Sequence, residues 1–296
     1  MAQNKFKGLG IALITPFKAD GTIDWEALDR LVEYQLKSGA DYLCIMGTTA
    51  ETPTLTPEEK RMLKQRLVDR VAGRVPLLMG CGGNCTASVV RELKEGDWSG
   101  IDGVLSVCPF YNKPSQEGLF RHFSAIAEAS PVNVVLYNVP GRTGVNMTAE
   151  TTLRLAHDVK NIVAIKEASG NMEQIKQIID NAPEGFVVYS GDDSATYDIM
   201  KMGGVGVVST ISNIATARMK EIVDLCAAGK WDEAKAANDK LLPMMDGLFE
   251  TTNPILVKEA LKLVGFPVGG VRLPLVDATP EQSNRLAAIM HEVGVL

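Results

Sequence analysis

The sequence has no apolar run long enough to cross a bilayer. Its 296 residues are 46% hydrophobic and 22% charged, a mixture typical of globular proteins, and no segment approaches the ~20 consecutive apolar residues that a membrane-spanning helix needs. The first residues also lack a long apolar core followed by a small-residue cleavage site, so no secretion signal is indicated. We therefore expect a cytoplasmic protein that does not span a membrane.

Cysteine and positive charge are both scarce. The five cysteines are an odd number and lie mostly in apolar stretches, which favours buried reduced thiols over a disulfide framework. The formal net charge is −6, which argues against a general nucleic-acid-binding protein because such proteins normally carry a basic stripe. A small anionic substrate is not excluded, since one buried arginine acts at closer range than a diffuse surface charge.

Signatures of cofactor and metal sites are also missing. The glycine-rich stretch GCGGNC lacks the Gly-Lys-Ser/Thr of a phosphate loop, and no GxGxxG opens a helix. The three histidines, His122, His157 and His291, are far apart in the sequence and fit helix surfaces better than a metal site. The GDD at 191–193 is expected to cap the following helix rather than bind an ion. We predict no metal and no bound cofactor.

What the sequence does contain is a regular alternation of apolar and amphipathic segments. Eight short apolar runs recur, at 10–16, 42–47, 76–82, 103–109, 133–140, 162–169, 186–193 and 204–210. The segments between them have the apolar spacing of helices, as in DWEALDRLVEYQLKSG from Asp24. Apolar strands alternating with helices imply a parallel sheet covered on both faces. Eight repeats favour an α/β fold closed as a (β/α)8 TIM barrel over an open doubly wound sheet.

The last part of the chain has a different pattern. Residues from about 213 contain no further apolar run of this kind but several helical patterns. TPEE at 56–59 and TPEQ at 279–282 predict helices that start with a capping box. We predict a barrel catalytic domain over 1–228 and a C-terminal helical extension over 229–296.

In such a barrel the active site lies at the carboxyl ends of the strands, which makes Lys166 the first candidate. Desolvation among the apolar residues 162–165 would disfavour the charged form of its amine. A neutral amine at this place can attack a ketone and form a Schiff base. From this segment alone, a lysine that reaches solvent or pairs with Glu167 is the alternative.

Three other strand ends carry candidates. Tyr137 ends the fifth run, where its phenol could relay protons or simply be a buried tyrosine with one partner. Thr48 and Thr49 in GTTAE could hold a carboxylate or only cap a turn. Arg142 in VPGRTG suits bidentate recognition of a carboxylate, although a solvated loop arginine is the alternative.

Five motifs together point to a family. GTTAE, CPFYNKPSQEGLFRHF, VVLYNVPGRTG, IVAIKEASGN and VVYSGDD, in this order and at these spacings, resemble the dihydrodipicolinate synthase family of pyruvate-dependent class I aldolases. The resemblance runs from about residue 7 to the C-terminus. It implies that Lys166 condenses with the ketone of pyruvate and that the resulting enamine attacks the aldehyde of L-aspartate 4-semialdehyde, in lysine and diaminopimelate biosynthesis.

The resemblance also assigns a proton relay. Thr48, Tyr137 and Tyr111 match its members, and the family's equivalent of Tyr111 reaches in from a neighbouring subunit. The family is usually a homotetramer built as a dimer of tight dimers, which is the assembly that the resemblance implies.

Further residues match binding positions of the family. Thr49 and its turn match the site of the pyruvate carboxylate, and Arg142 matches the arginine that receives the carboxylate of the semialdehyde. Gly191 and Val208 match positions whose backbone lines the pocket. One departure concerns Ala50, which replaces the family's usual glycine; if that glycine needs a positive φ, Ala50 would be modestly strained.

A second departure concerns feedback inhibition by lysine. In sensitive relatives the effector pocket bears histidines, a glutamate and a tyrosine, whereas the matching positions here are Pro57, Lys60, Ser88 and Phe110, with Asn84 retained. Without a glutamate to pair with the ammonium group of the effector, we predict weak or absent inhibition by lysine.

Three alternatives to this assignment differ in what they require. Within the enzyme class, an aldolase of the N-acetylneuraminate lyase or 2-keto-3-deoxy sugar-acid type shares the lysine and tyrosine but commonly lacks arginine in the turn of Arg142. A lysine that holds pyridoxal phosphate would need a phosphate-binding loop. A non-catalytic barrel has no need for the lysine, the tyrosine pair, the threonine and the arginine together.

Overall fold

The computed structural model describes residues 4–296 and shows a closed barrel of eight parallel strands. The strands are β1 (Gly8–Ala12), β2 (Tyr42–Ile45), β3 (Leu77–Gly80), β4 (Gly103–Val107), β5 (Asn133–Asn138), β6 (Ile162–Glu167), β7 (Val187–Ser190) and β8 (Gly206–Ser209). The helices are α1 (Trp25–Lys37), α2 (Pro57–Val71), α3 (Thr86–Glu95), α4 (Gln116–Ala129), α5 (Pro140–Thr143), α6 (Ala149–Asp158), α7 (Met172–Asn181), α8 (Thr196–Lys201), α9 (Ser212–Ala227), α10 (Trp231–Gly247), α11 (Ile255–Leu263) and α12 (Pro280–Glu292). Each strand pairs with the next, and β8 pairs back to β1. The predicted (β/α)8 barrel is confirmed.

Most strands are shorter than the apolar runs that predicted them. The run 162–169, for example, yields a strand that ends at Glu167, because the chain must bend there toward the next helix. β1 instead begins at Gly8, two positions before the predicted run 10–16. Gly8 and Gly206 lie opposite each other, and a Cβ on Gly206 would come within 2.0 Å of the carbonyl oxygen of Gly8. Two glycines carry no apolar signal, so the sequence pattern missed this strand start.

The barrel interior is filled by side chains, and the larger part of the core lies between strands and helices. Tyr42, Tyr189 and Phe6 are fully buried inside the barrel, with the rings of Phe6 and Tyr42 in edge contact at 5.3 Å. Side chains thus fill the interior of the barrel, as is usual for this fold.

The C-terminal helices pack back onto the barrel. The two predicted capping boxes are present, at Thr56 with Glu59 and at Thr279 with Gln282. α9 ends at Ala227 and α10 begins at Trp231, and the predicted domain division at 228/229 stays a prediction. No helix among residues 4–296 is long and apolar enough to cross a bilayer.

The prediction of buried, reduced cysteines is confirmed for all but one of them, and the prediction that the histidines lie on helix surfaces is wrong for His122. All five cysteines are free, and all but Cys85 are buried. His157 and His291 are exposed, whereas His122 is only 5% exposed because α4 turns it toward α3. There its Nδ1 lies 2.8 Å from the hydroxyl of Thr86.

We expect His122 to make the fold sensitive to acid. Burial lowers its pKa from 6.5 to about 4, so on acidification the unfolded chain takes up this proton first. The stabilisation is therefore complete above pH 6.5 and is lost as the pH falls toward 4, by up to about 3 kcal/mol. His122→Gln has no proton to take up, and its stability should fall less over this range. Urea unfolding of both proteins at pH 7 and 4.5, at one protein concentration, measures the difference; a constant difference would refute the expectation.

Candidate active site

A cavity of about 630 Å³ opens at the carboxyl ends of the strands, where a barrel of this kind places its chemistry. It brings together six of the residues predicted from the sequence: Lys166, Tyr137, Thr48, Thr49, Arg142 and Gly191. These residues come from the ends of four different strands, and the barrel closure alone makes them neighbours.

Lys166 points into the cavity because the side chains of β6 alternate between the barrel interior and the helix layer. It is 7% exposed, and its Nζ lies 4.3 Å from the centre of the Tyr137 ring. The two residues are partners in the register of β5 and β6. No acidic side chain among residues 4–296 pairs with the amine, so the lysine is held among apolar and aromatic groups.

Glu167 faces the other way and does not pair with Lys166. Its carboxylate accepts hydrogen bonds from the side-chain amides of Asn138 and Gln174, each at 3.1 Å, and from the backbone N–H of Ser169 at 3.0 Å. Burial raises the pKa of Glu167 even though these hydrogen bonds oppose the shift. The alternative of a Lys166–Glu167 ion pair is therefore wrong.

Gly191 makes room for the lysine. A Cβ at this position would lie 3.1 Å from Cε of Lys166 and 2.8 Å from Cβ of Ala168. The backbone N–H of Gly191 donates to the carbonyl oxygen of Glu167 at 2.7 Å, which fixes the loop after β7 against the end of β6. Glycine is thus favoured here by the close approach of Ala168, and to a lesser degree of the lysine stem, rather than by a left-handed φ.

The GTTAE stretch forms a short 3₁₀ helix, Thr48–Ala50, after β2. The hydroxyl of Thr15 donates to the carbonyl oxygen of Ala50 at 2.8 Å, and the side-chain amide of Asn253 donates to Oγ1 of Thr49 at 2.9 Å. The expected strain at Ala50 is absent, because the left-handed residue of this turn is Glu51, with φ 54° and ψ 34°.

Arg142 lies at the rim of the cavity on the short helix α5. One of its terminal nitrogens, Nη2, donates to the carbonyl oxygen of Asn253 at 3.3 Å. The guanidinium carries further N–H donors, and its position at the rim suits recognition of a carboxylate at the outer end of a bound molecule.

Two predicted residues lie outside this cavity. Among the described residues, those that line it include Thr210 but not Val208, which is buried in the barrel interior. Tyr111 is 86% exposed and has a φ of 74°, an uncommon conformation for a bulky side chain. It is not among the residues that line the cavity of its own chain.

The GDD prediction is wrong. The N-cap of α8 is Ala195, which provides no side-chain cap. Asp193 instead accepts hydrogen bonds from the backbone N–H groups of Thr210 at 3.0 Å and Ile211 at 2.8 Å, so it holds the loop after β8. Burial raises the pKa of Asp193 to about 6. The carboxylate thus reaches across to a neighbouring βα loop, which the local pattern could not indicate.

The sequence analysis missed other parts of the site. Asn253 contacts both the threonine turn and Arg142 although it is 204 residues from Thr49. The Asn-Pro pair at 253–254 indicates a turn, but nothing in it shows where that turn packs. Cys44 also lines the cavity, and burial raises the pKa of its thiol to about 11, which keeps it protonated and unreactive.

Comparisons with known proteins agree with this geometry. The family model described as the dihydrodipicolinate synthetase family matches residues 5–293. The chain is 50% identical to a 4-hydroxy-tetrahydrodipicolinate synthase from Phocaeicola vulgatus, over 100% of this chain and 99% of that protein, and 48% identical to one from Parabacteroides distasonis over the same shares. It also superimposes on a crystal structure of dihydrodipicolinate synthase from Thermotoga maritima with a TM-score of 0.96 and 42% identity, covering 99% of this chain and 100% of that one. The chain therefore belongs to the dihydrodipicolinate synthetase family.

Proposed function

We propose that this protein condenses pyruvate with L-aspartate 4-semialdehyde through a Schiff base on Lys166, as a 4-hydroxy-tetrahydrodipicolinate synthase of lysine and diaminopimelate biosynthesis. The observation that carries the proposal is a buried lysine that has no acidic partner among residues 4–296. It lies next to a tyrosine, in a cavity with a hydroxyl-bearing turn and an arginine at its rim. This is the arrangement that a Schiff-base aldolase for two anionic substrates needs.

Each of the site residues has its own part in the proposed reaction. The amine of Lys166 attacks the ketone of pyruvate, and water leaves from the carbinolamine to give the Schiff base. Tyr137 and Thr48 move the protons of this exchange, while Thr49 and the N–H groups of its turn hold the pyruvate carboxylate. Loss of a methyl proton gives the enamine, whose carbon attacks the aldehyde held by Arg142. The product then cyclises and is released from the lysine.

We also propose that the protein works as a homotetramer in which Tyr111 completes the relay in a neighbouring subunit. A tyrosine that is 86% exposed and held at φ 74° is costly for an isolated chain. A partner subunit that buries the ring would offset this cost. The roles of Gly191 and Val208 in lining the pocket, the cytoplasmic location, the lack of a cofactor and the weak inhibition by lysine stay predictions.

The test of the proposed function is a comparison of aldehydes. With pyruvate saturating, we expect L-aspartate 4-semialdehyde to be condensed far faster than a polyhydroxylated sugar aldehyde, because only the former presents a carboxylate to Arg142 at short range. A preference for the sugar aldehyde would assign the chain to another aldolase activity. A yellow purified protein would instead indicate pyridoxal phosphate on the lysine.

Arg142→Gln should raise the KM for the semialdehyde but not the KM for pyruvate. Removing a charged hydrogen-bond donor costs about 1.5–3 kcal/mol, which is roughly a 10- to 150-fold rise in KM for the semialdehyde. The KM for pyruvate should stay close to that of the wild type. Arg121→Gln, an exposed arginine on α4, is the matched control. Equal rises in both KM values would show that Arg142 supports the cavity as a whole and does not specifically bind the semialdehyde.

A further inference from the structure

A buried ion pair lies behind the threonine turn of the cavity, and the proposed chemistry does not use it. Glu51 ends the threonine turn and Lys258 lies on α11, and each side chain is 1% exposed. Nζ of Lys258 lies 2.5 Å from Oε1 of Glu51. Because taking two charges out of water offsets most of their attraction, a pair of this kind is weak evidence for stability. Its position calls for another explanation.

Both partners are tied to the same C-terminal segment. Nζ of Lys258 also donates to the carbonyl oxygen of Gly270 at 2.8 Å and lies 4.0 Å from the centre of the Phe17 ring. The second carboxylate oxygen of Glu51 accepts from the backbone N–H of Arg272 at 2.8 Å. The carboxylate is therefore fixed from two directions by parts of the chain more than 200 residues away.

The same glutamate has the left-handed backbone conformation that closes the turn. With φ 54° and ψ 34°, Glu51 donates its N–H to the carbonyl oxygen of Thr48 at 3.0 Å. A non-glycine residue in this region is strained by about 1–2 kcal/mol and persists only where its surroundings hold it. The side chain of Glu51 is held by Lys258 and Arg272, and that of Thr49 by Asn253.

We propose that Glu51 and Lys258 are positioning residues that hold the Thr48–Thr49 turn in the geometry that receives the pyruvate carboxylate. The inference rests on the proposed function, since it takes pyruvate to be the ligand of that turn. Loss of the pair would let Glu51 leave the left-handed region and shift the threonines. A displacement of about 1 Å in a site of this kind can reduce the rate by about 100-fold.

The test uses three variants of the full-length protein and one control. Lys258→Met removes the cation, Glu51→Gln removes the anion, and the double variant removes both, so that no unpaired charge stays buried. Lys64→Met is the control, because Lys64 on α2 is also buried and pairs at 2.6 Å with Asp97, which precedes β4 and so lies at the opposite end of the barrel from the turn.

Kinetics and trapping distinguish positioning from simple stabilisation. We expect the KM for pyruvate to rise by about 10-fold or more in all three variants, because the turn that holds the carboxylate would be displaced, while the KM for the semialdehyde stays near the wild-type value. The pyruvate concentration for half-maximal trapping of the adduct by borohydride should rise in parallel. The double variant should regain much of the melting temperature lost in Lys258→Met but not the affinity for pyruvate. Lys64→Met should lose stability and keep both KM values.

The opposite results would overturn the proposal. An unchanged KM for pyruvate in folded variants, or recovery of that KM together with the melting temperature in the double variant, would reduce the pair to a stabilising role. If Lys258→Met does not fold, the KM for pyruvate of the double variant is compared with that of the wild type instead. A double variant that also fails to fold would make the pair a requirement of folding and so refute a specific role. Wild-type protein that traps no pyruvate would refute the proposed function instead.

Discussion

Lys166→Arg is expected to abolish turnover, with kcat reduced by about 10⁴-fold or more. The guanidinium of arginine stays charged in proteins and cannot act as the nucleophile, so no Schiff base can form. Gly191 leaves room beside Cε of the lysine, and the stem of arginine occupies similar space. The result should therefore reflect chemistry rather than collapse of the cavity.

The measurement is the intact mass of the protein after borohydride treatment in the presence of pyruvate, followed by a peptide map. Wild-type protein should gain one reduced pyruvyl group on the peptide that contains Lys166, and the variant should gain none. Lys176→Arg makes the same chemical change at a surface lysine on α7 and should behave as the wild type. An adduct on the Lys166→Arg variant, or none on well-folded wild type, would exclude Lys166 as the nucleophile.

Tyr137→Phe should have the second largest effect. The ring would stay in place beside the lysine, 4.3 Å from Nζ, while the hydroxyl group that moves protons would be lost. General acid–base catalysis by one group contributes about 10²–10⁴-fold, and we expect kcat to fall by an amount in this range. Because several proton transfers precede the enamine, trapping of the adduct by borohydride should also become slower.

The control for this variant is Tyr189→Phe. Tyr189 is the other register partner of Lys166, but its hydroxyl donates to the carbonyl oxygen of Phe6 at 2.7 Å, inside the barrel and away from the cavity. Its removal should lower the melting temperature and leave kcat close to the wild-type value. If the two variants lose activity equally, the hydroxyl of Tyr137 has no specific part in proton transfer.

Local sequence patterns determined much of this protein. Eight apolar runs with helical segments between them define parallel strands, and the rule that polar residues at the strand ends form the site led to Lys166, Tyr137, Thr49 and Arg142. These inferences succeed because alternation, capping and strand ends depend on neighbours within a few residues. They failed where backbone geometry overrides pattern, as at Gly8, where the first strand begins on a glycine.

Tertiary structure decided what surrounds the threonine turn. Glu51 appeared in the sequence as the last letter of a motif, and the expected strain was assigned to Ala50 beside it. The fold shows the left-handed residue to be Glu51 and pairs its buried carboxylate with Lys258, while Asn253 contacts Thr49. Likewise Asp193 holds the loop after β8, not the helix that follows it in sequence.

The difference between what the sequence determined and what the tertiary structure determined has a physical cause. The sequence by itself determined the elements, the cavity end of the barrel and the candidate nucleophile, because each depends on short-range backbone preferences and on the order of the strands. It could not determine which distant side chains would meet a buried charge. Such partners are selected by closure of the barrel and by docking of the C-terminal helices, which bring together residues about 200 positions apart, where a buried carboxylate must find a donor.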